Sequence, residues 1–257
     1  MTKYVKCEIQ CAICESKFSH NKILSTTTTD EPEQIDLDTR PWAGGEPQGF
    51  PDMMYCPECG YYSFDISQAT PSIKDLVRSP VYIRQYKSTT YPMFVNQFLC
   101  RVQIDEKQGH FSDAARALLY SAWVYDDAAM KPQARICRKR AASMVSRAVR
   151  NGQKVTQRKV ETVTLQVDLL RRAGLLDAAQ KLIDEKSQQI QDDHILRILK
   201  FQSKLITRKD DTSYLYSKIL GLVKRAESLQ RPAYLKNEVA KKKKDEIMNN
   251  FTKRVFS

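Results

Sequence analysis

The chain has 257 residues, 42% hydrophobic and 28% charged, enough to build one large domain or two smaller ones around a buried core. No apolar run approaches the ~18 residues that span a bilayer, and Met1-Thr2-Lys3-Tyr4-Val5-Lys6 lacks the apolar stretch of a signal peptide. These features argue against a membrane-spanning helix and predict a soluble, cytoplasmic protein with no membrane partner. The formal net charge of +12 is uneven, because residues 1–70 hold five Lys/Arg against eleven Asp/Glu and the basic excess lies wholly after them. That shift marks two regions, an acidic front and a basic remainder.

Tyr4-Val5-Lys6-Cys7-Glu8-Ile9 alternates as a strand does and leads into Cys11-Ala12-Ile13-Cys14. A second pair follows at Cys56-Pro57-Glu58-Cys59, flanked by the strand-like Met53-Met54-Tyr55 and Tyr61-Tyr62-Ser63-Phe64. A two-residue gap lets one tight turn offer two sulfurs to one ion, and two such turns complete a tetrahedron of thiolates. Gly60 stands where such a turn needs positive φ. The stronger reading is one structural zinc ion held by Cys11, Cys14, Cys56 and Cys59, as in a zinc ribbon with a long insertion. A thiol–disulfide redox pair and plain buried thiols are the alternatives. Cys7 and His20 are the nearby candidates for an additional ligand. A four-thiolate site leaves no open position for water, so it would hold structure and not catalyse.

Between the pairs, Ser25 to Glu33 is polar, and Asp36-Leu37-Asp38-Thr39-Arg40-Pro41-Trp42 precedes Gly44, Gly45 and Gly49. The Gly/Pro density predicts irregular backbone. Asp36, Asp38, Arg40 and Trp42 form either a binding patch or, the stronger reading, a structural loop pinned by an Asp–Arg pair.

After residue 70 helical periodicity takes over. Ser79-Pro80 reads as an N-cap followed by Pro at the first helical position. A helix is expected over Tyr91 to Lys107, with Phe94, Phe98 and Val102 on one face and Gly109 as its stop. Another starts at Phe111, with Leu118, Leu119, Ala122 and Trp123 apolar. Pro132 opens a third, carrying Ala134, Cys137, Ala141, Met144 and Ala148 at helical spacing. Cys100 and Cys137 lie on apolar faces and read as core thiols. Further helices fit Val155 to Ala173, Asp193 to Lys209 and Ser213 to Ser228. Asp113-Ala114-Ala115 and Asp177-Ala178-Ala179 each follow a glycine, 64 residues apart. That distance is close to two helix-pair repeats of about 34 residues. The helical part therefore reads as a TPR-like array with a concave face for a protein partner, or as a plain bundle.

From Ala128 to Val160 there are ten basic residues and no acidic one: Lys131, Arg135, Arg138, Lys139, Arg140, Arg147, Arg150, Lys154, Arg158 and Lys159. This is a solvated basic face, a footprint for nucleic acid or an acidic protein, or a dock for the chain's own acidic front. No DNA-reading motif accompanies it, so any nucleic-acid attraction would be non-specific. The tail carries Lys241 to Lys244.

Cys11-Ala12-Ile13-Cys14, Phe18, Asp38-Thr39-Arg40, Cys56-Pro57-Glu58-Cys59-Gly60-Tyr61, Ala122-Trp123-Val124-Tyr125-Asp126-Asp127, Ala134 and Cys137-Arg138 together resemble a bacterial family catalogued as a domain of unknown function, number 2225. The resemblance covers roughly residues 7 to 180. It implies metal binding at Cys11, Cys14, Cys56 and Cys59 and a zinc ribbon fused to TPR-like helices, and it implies no activity. Cys7 and the four-lysine tail are outside the pattern.

The expected architecture is mainly α. A zinc-ribbon-like β module occupies residues 1–70, a TPR-like helical domain residues 71–230 and a basic tail residues 231–257. The expected function is a zinc-binding scaffold or adaptor for a partner protein, with a nucleic-acid-associated protein as the rival. No nucleophile–base arrangement, Gly-rich phosphate loop or HExxH motif is present, and His20, His110 and His194 have no motif context, so no catalysis is expected.

Overall fold

The alternating run before the first cysteine pair finds its partner directly after it. In the computed structural model, which describes residues 3–25, 34–43, 46–47, 50, 53–156, 159–219 and 221, β1 (Lys3–Gln10) and β2 (Lys17–Ser25) form an antiparallel hairpin closed by the first pair. The described part of the insertion holds short strands that its Gly/Pro content does not predict. β3 (Gln34–Ile35), β4 (Pro41–Ala43) and β5 (Glu46–Pro47) form a small antiparallel sheet in that order. Pro41 is tolerated because it opens its strand, where no ladder N–H is required of it. β6 (Met54–Tyr55) and β7 (Tyr62–Ser63) make a second hairpin around the second cysteine pair.

Helices follow. α1 (Pro71–Val77) and α2 (Pro80–Tyr86) both begin on proline, whose fixed φ suits the first turn. The Ser79 hydroxyl accepts from the Tyr82 N–H at 3.3 Å, the expected N-cap. α3 (Met93–Gln108) starts two residues later than the periodicity predicts, because Pro92 disfavours helical backbone at Tyr91. α4 (Phe111–Asp127), α5 (Lys131–Arg150), α6 (Lys159–Arg172), α7 (Leu176–Ser187) and α8 (Asp193–Thr207) follow, then the single turn α9 (Tyr216–Ile219). α6 also starts late. Gln153, in the segment before it, donates to the Gly109 carbonyl and accepts from the Ser112 N–H, closing the gap between α3 and α4. The expected helix over 213–228 is described only through its first turn, and Lys241 to Lys244 lie outside the described residues.

One turn recurs between the helices. At Gly109, Ala129, Gly152, Gly174 and Lys209 the chain takes positive φ, and the next residue donates back across the last helical turn. This is the Schellman ending. The two Asp-Ala-Ala copies open α4 and α7, with Ala114, Ala115 and Ala179 buried and each aspartate in the first helical turn. An acidic side chain there complements the helix dipole.

The fold is thus mainly α with a small N-terminal β module. α3 to α6 each pack on the next, and α6, α7 and α8 pack mutually. Their main core holds Phe98, Leu118, Trp123, Val145 and Leu169. A second cluster joins the knuckle residues Cys11 and Cys56 to Ile73, Val77, Tyr82 and Ile104. A third joins Leu37 of the insertion to Val167, Ile198 and Leu205. Among the described residues no helix is long and apolar enough to cross a membrane.

Candidate metal centre

The two cysteine turns share one geometry. In the first, the Cys11 N–H donates to the Ser16 carbonyl and the Glu15 N–H to the Cys11 carbonyl, both at 2.9 Å. In the second, the Cys56 N–H donates to Tyr61 at 3.0 Å and the Gly60 N–H to Cys56 at 2.9 Å. Each turn reaches positive φ four residues after its first cysteine, at Glu15 (64°) and Gly60 (71°). The left-handed conformation foreseen for Gly60 is therefore matched by a residue with no glycine signal. At Gly60 glycine is also needed for space, because a Cβ there would run into the Tyr86 ring.

The two turns face each other. Cys11 Sγ lies 3.7 Å from Cys59 Sγ, and Cys14 Sγ lies 3.5 Å from Cys56 Sγ. The ligand atoms of all four residues fall within 4.8 Å of one another, a group able to hold a metal ion. The Ile13 N–H points at Cys11 Sγ, 3.4 Å away, and the Ser16 hydroxyl lies 3.1 and 3.3 Å from Cys14 and Cys56. Such donors spread the charge of ligating sulfurs and fix their orientation. Burial raises the Cys11 thiol above its ordinary value and the Cys59 thiol well above it. At exposed Cys14 the smaller burial penalty is outweighed by Ser16, which brings it down to about 7.

The first two helices clasp this centre. Tyr82 donates to the Gly60 carbonyl at 2.9 Å, Tyr86 to the Pro57 carbonyl at 3.2 Å, and Arg78 to the Ile13 carbonyl at 3.1 Å. Cys7 and His20 stand opposite each other in the β1–β2 register and lie outside the four-residue group. Cys100 and Cys137 are buried on helices, and burial pushes them up to about 12 and about 11, as suits core thiols. Asp105, His110 and Asp113 also approach one another, but Arg101 grips Asp105 with two hydrogen bonds of 2.6 and 3.0 Å.

A second centre was only half visible in the sequence. Asp36, Asp38, Arg40 and Trp42 do not form a surface patch; all four are buried. Asp38 and Arg40 also do not pin each other. One Asp38 carboxylate oxygen accepts from Trp123 (3.1 Å), Arg138 (2.9 Å) and Arg172 (2.6 Å). Arg40 grips Asp127 with two bonds of 2.8 and 2.7 Å and lies over the Trp123 ring. Arg138 and Arg172 also share Asp126. Arg171 bonds Asp168 at 2.6 Å and donates to the carbonyls of Asp210 and Thr212. Burial opposes the charge on Arg138, but Asp126 and Asp38 outweigh it and hold it more firmly protonated than usual. Four arginines thus meet four aspartates, and Leu37 and Asp36 join the backbone at Tyr214 and Leu215. The non-cysteine motifs of the front and of α4 converge at this one place.

The basic stretch is correspondingly depleted. Arg138, expected on its surface, is interior because its charge is consumed by Asp38 and Asp126. Lys131 and Arg135 pair with Asp211, and Arg147 and Arg140 with Glu106. Lys139, Arg150 and Lys154 are exposed. Arg158 lies outside the described residues, as does the side chain of Lys159.

A family model described as "Uncharacterized protein conserved in bacteria (DUF2225)" matches residues 4–229. No curated protein and no solved structure matches the chain.

Proposed function

The chain belongs to that bacterial family, DUF2225, and from this premise we propose that it is a zinc-stabilised, TPR-like helical adaptor that binds a partner protein and performs no catalysis. The observation that carries the metal is the spacing of the sulfurs. A tetrahedron with Zn–S near 2.3 Å has edges of about 3.8 Å, and the cross-turn distances are 3.7 and 3.5 Å. The short contacts run between the two pairs, whereas a CxxC redox couple works within one pair. Four thiolates would fill the ion's coordination, so zinc would bind the hairpins to each other and supply no reactive water.

For the partner, the support is the stack of successive helices and the apolar surface beside the metal centre. α2 and the residues after it carry Val81 at 63% exposure, with Ile83, Tyr91 and Met93 also exposed. Exposed large apolar side chains such as these are candidate anchors for a partner. Support for nucleic acid is thinner, because much of the basic stretch is spent on Asp38, Asp126, Asp211 and Glu106.

The test has two arms. Protein purified without added metal is expected to carry one zinc per chain, lost in Cys56→Ser; a metal-free wild type with folded hairpins would refute the zinc reading. Affinity capture from a bacterial lysate is expected to yield a protein partner that Val81→Lys/Ile83→Lys loses at unchanged zinc content. Recovery of nucleic acid instead, released by rising salt, would move the reading to the rival.

A further inference from the structure

A cavity of about 540 Å³ lies where the insertion meets the helices. Ile35 and Thr39 line it from the insertion, Arg116 and Leu119 from α4, Leu165 from α6, and Tyr216 from α9. Its volume is that of a small-molecule site, ~300–1,000 Å³. The buried Leu119 and Leu165 give it an apolar floor, and among the described residues its charged lining is Arg116, Lys154 and Glu161.

The wall of the cavity at Thr39 is rigidly placed. Thr39 has φ 68°, and among the described residues it is the β-branched one held in the left-handed region. That conformation is unfavourable for a branched side chain and is set here by the β3–β4 turn, in which the Thr39 N–H donates to the Asp36 carbonyl at 2.8 Å and the Asp36 N–H to the Arg40 carbonyl at 2.9 Å. The turn is held from both sides. Asp38 on one side is fixed by Trp123, Arg138 and Arg172, and Arg40 on the other by Asp127. The buried ion network therefore holds a strained threonine at the wall of a cavity.

We infer that this cavity binds a small organic anion with an apolar body, the body against Leu119 and Leu165 and the anionic head at Arg116. An arginine fork suits a carboxylate in such a role. The site goes beyond the adaptor reading and is independent of it.

The experiment uses the full-length, metal-replete protein and calorimetric titration with decanoate and 1-naphthoate, with decanol as the uncharged control. At least one carboxylate is expected to bind, and more tightly than decanol. Arg116→Gln, an exposed position, should weaken the carboxylate by about tenfold and leave decanol unchanged. Leu165→Trp should abolish binding by filling the cavity; if that variant does not fold, Val155→Phe at the half-buried rim makes the same test. The inference is overturned if neither carboxylate binds the wild type at millimolar concentration. It is equally overturned if binding is indifferent to both Arg116→Gln and the filling substitution.

Discussion

The cysteine hairpins and the insertion between them are fastened to the same helices by opposite means. The hairpins gather four thiols from two short turns, and a few helix side chains steady them. The insertion is held by charges drawn from the whole chain, Asp38 reaching Arg172 and Arg40 reaching Asp127. The first device, on the zinc reading proposed above, would be completed by an ion from outside. The second is self-contained, with its arginines all but inaccessible to water. Burying so many charges costs several kcal/mol per ion before pairing, so the arrangement is stable only while every partner is present. A local site can be completed by one ligand, whereas a distributed one fails at any of its members.

The largest expected break is on the metal side. Chelation, or Cys56→Ser, should abolish hydrogen-exchange protection in β1, β2, β6, β7, α1 and α2 while α4 to α8 keep theirs, since structural metal binding is itself folding energy for small modules. Loss of protection throughout would show that the two fastenings are one cooperative unit. Next comes Asp38→Ala, which strips Arg138 and Arg172 of a shared partner. A loss of about 3–5 kcal/mol is expected in denaturant unfolding, with the metal content unchanged. Gly60→Ala should cost about 1–2 kcal/mol for the left-handed backbone alone, plus the displaced Tyr86 ring. The second part should be recovered in a Gly60→Ala/Tyr86→Ala background relative to Tyr86→Ala.

The smallest effect concerns acid. Burial pushes Asp211 up, but Arg135 and Lys131 outweigh it and hold its carboxyl below the ordinary 3.8. A lowered folded value means that Asp211 contributes stability above that pH and loses it as pH falls through the folded value. The pairs are largely exposed on the basic side, so the contribution is under about 1 kcal/mol. Asp211→Asn should flatten the acid limb of a melting-temperature profile slightly, and an unchanged limb would show the pairs to be inert.

The contrast also explains what could be read in advance. The cysteines are spaced locally, so Cys11, Cys14, Cys56 and Cys59 were visible as two pairs, and Gly60 as a turn residue. The stop at Gly109, the glycines before the two Asp-Ala-Ala copies and the cap at Ser79 are equally local. Ala129 and Lys209 make the same left-handed turn as those glycines and carry no such mark. For the ion network, residues 38, 126, 138 and 172 are neighbours only after folding, and no spacing rule links them. An Asp two residues before an Arg invites the pairing that the fold does not make. Arg138 sat in a run of ten cations, where nothing but its place on the inner face of α5 separates it from exposed Lys139.

The pairing of the insertion with Tyr214 and Leu215 also fixes an order of events during synthesis. A ribosome adds about 5–20 residues per second. The cysteine turns are complete once residue 64 has emerged, so they can close early. Asp36 and Leu37 must then wait for a strand partner made some 175 residues later, on the order of 10–30 s. Asp38 meets its arginines sooner, Arg138 after 100 residues and Arg172 after 134, so the backbone pairing at Asp36 and Leu37 is the last fastening of the insertion to become available.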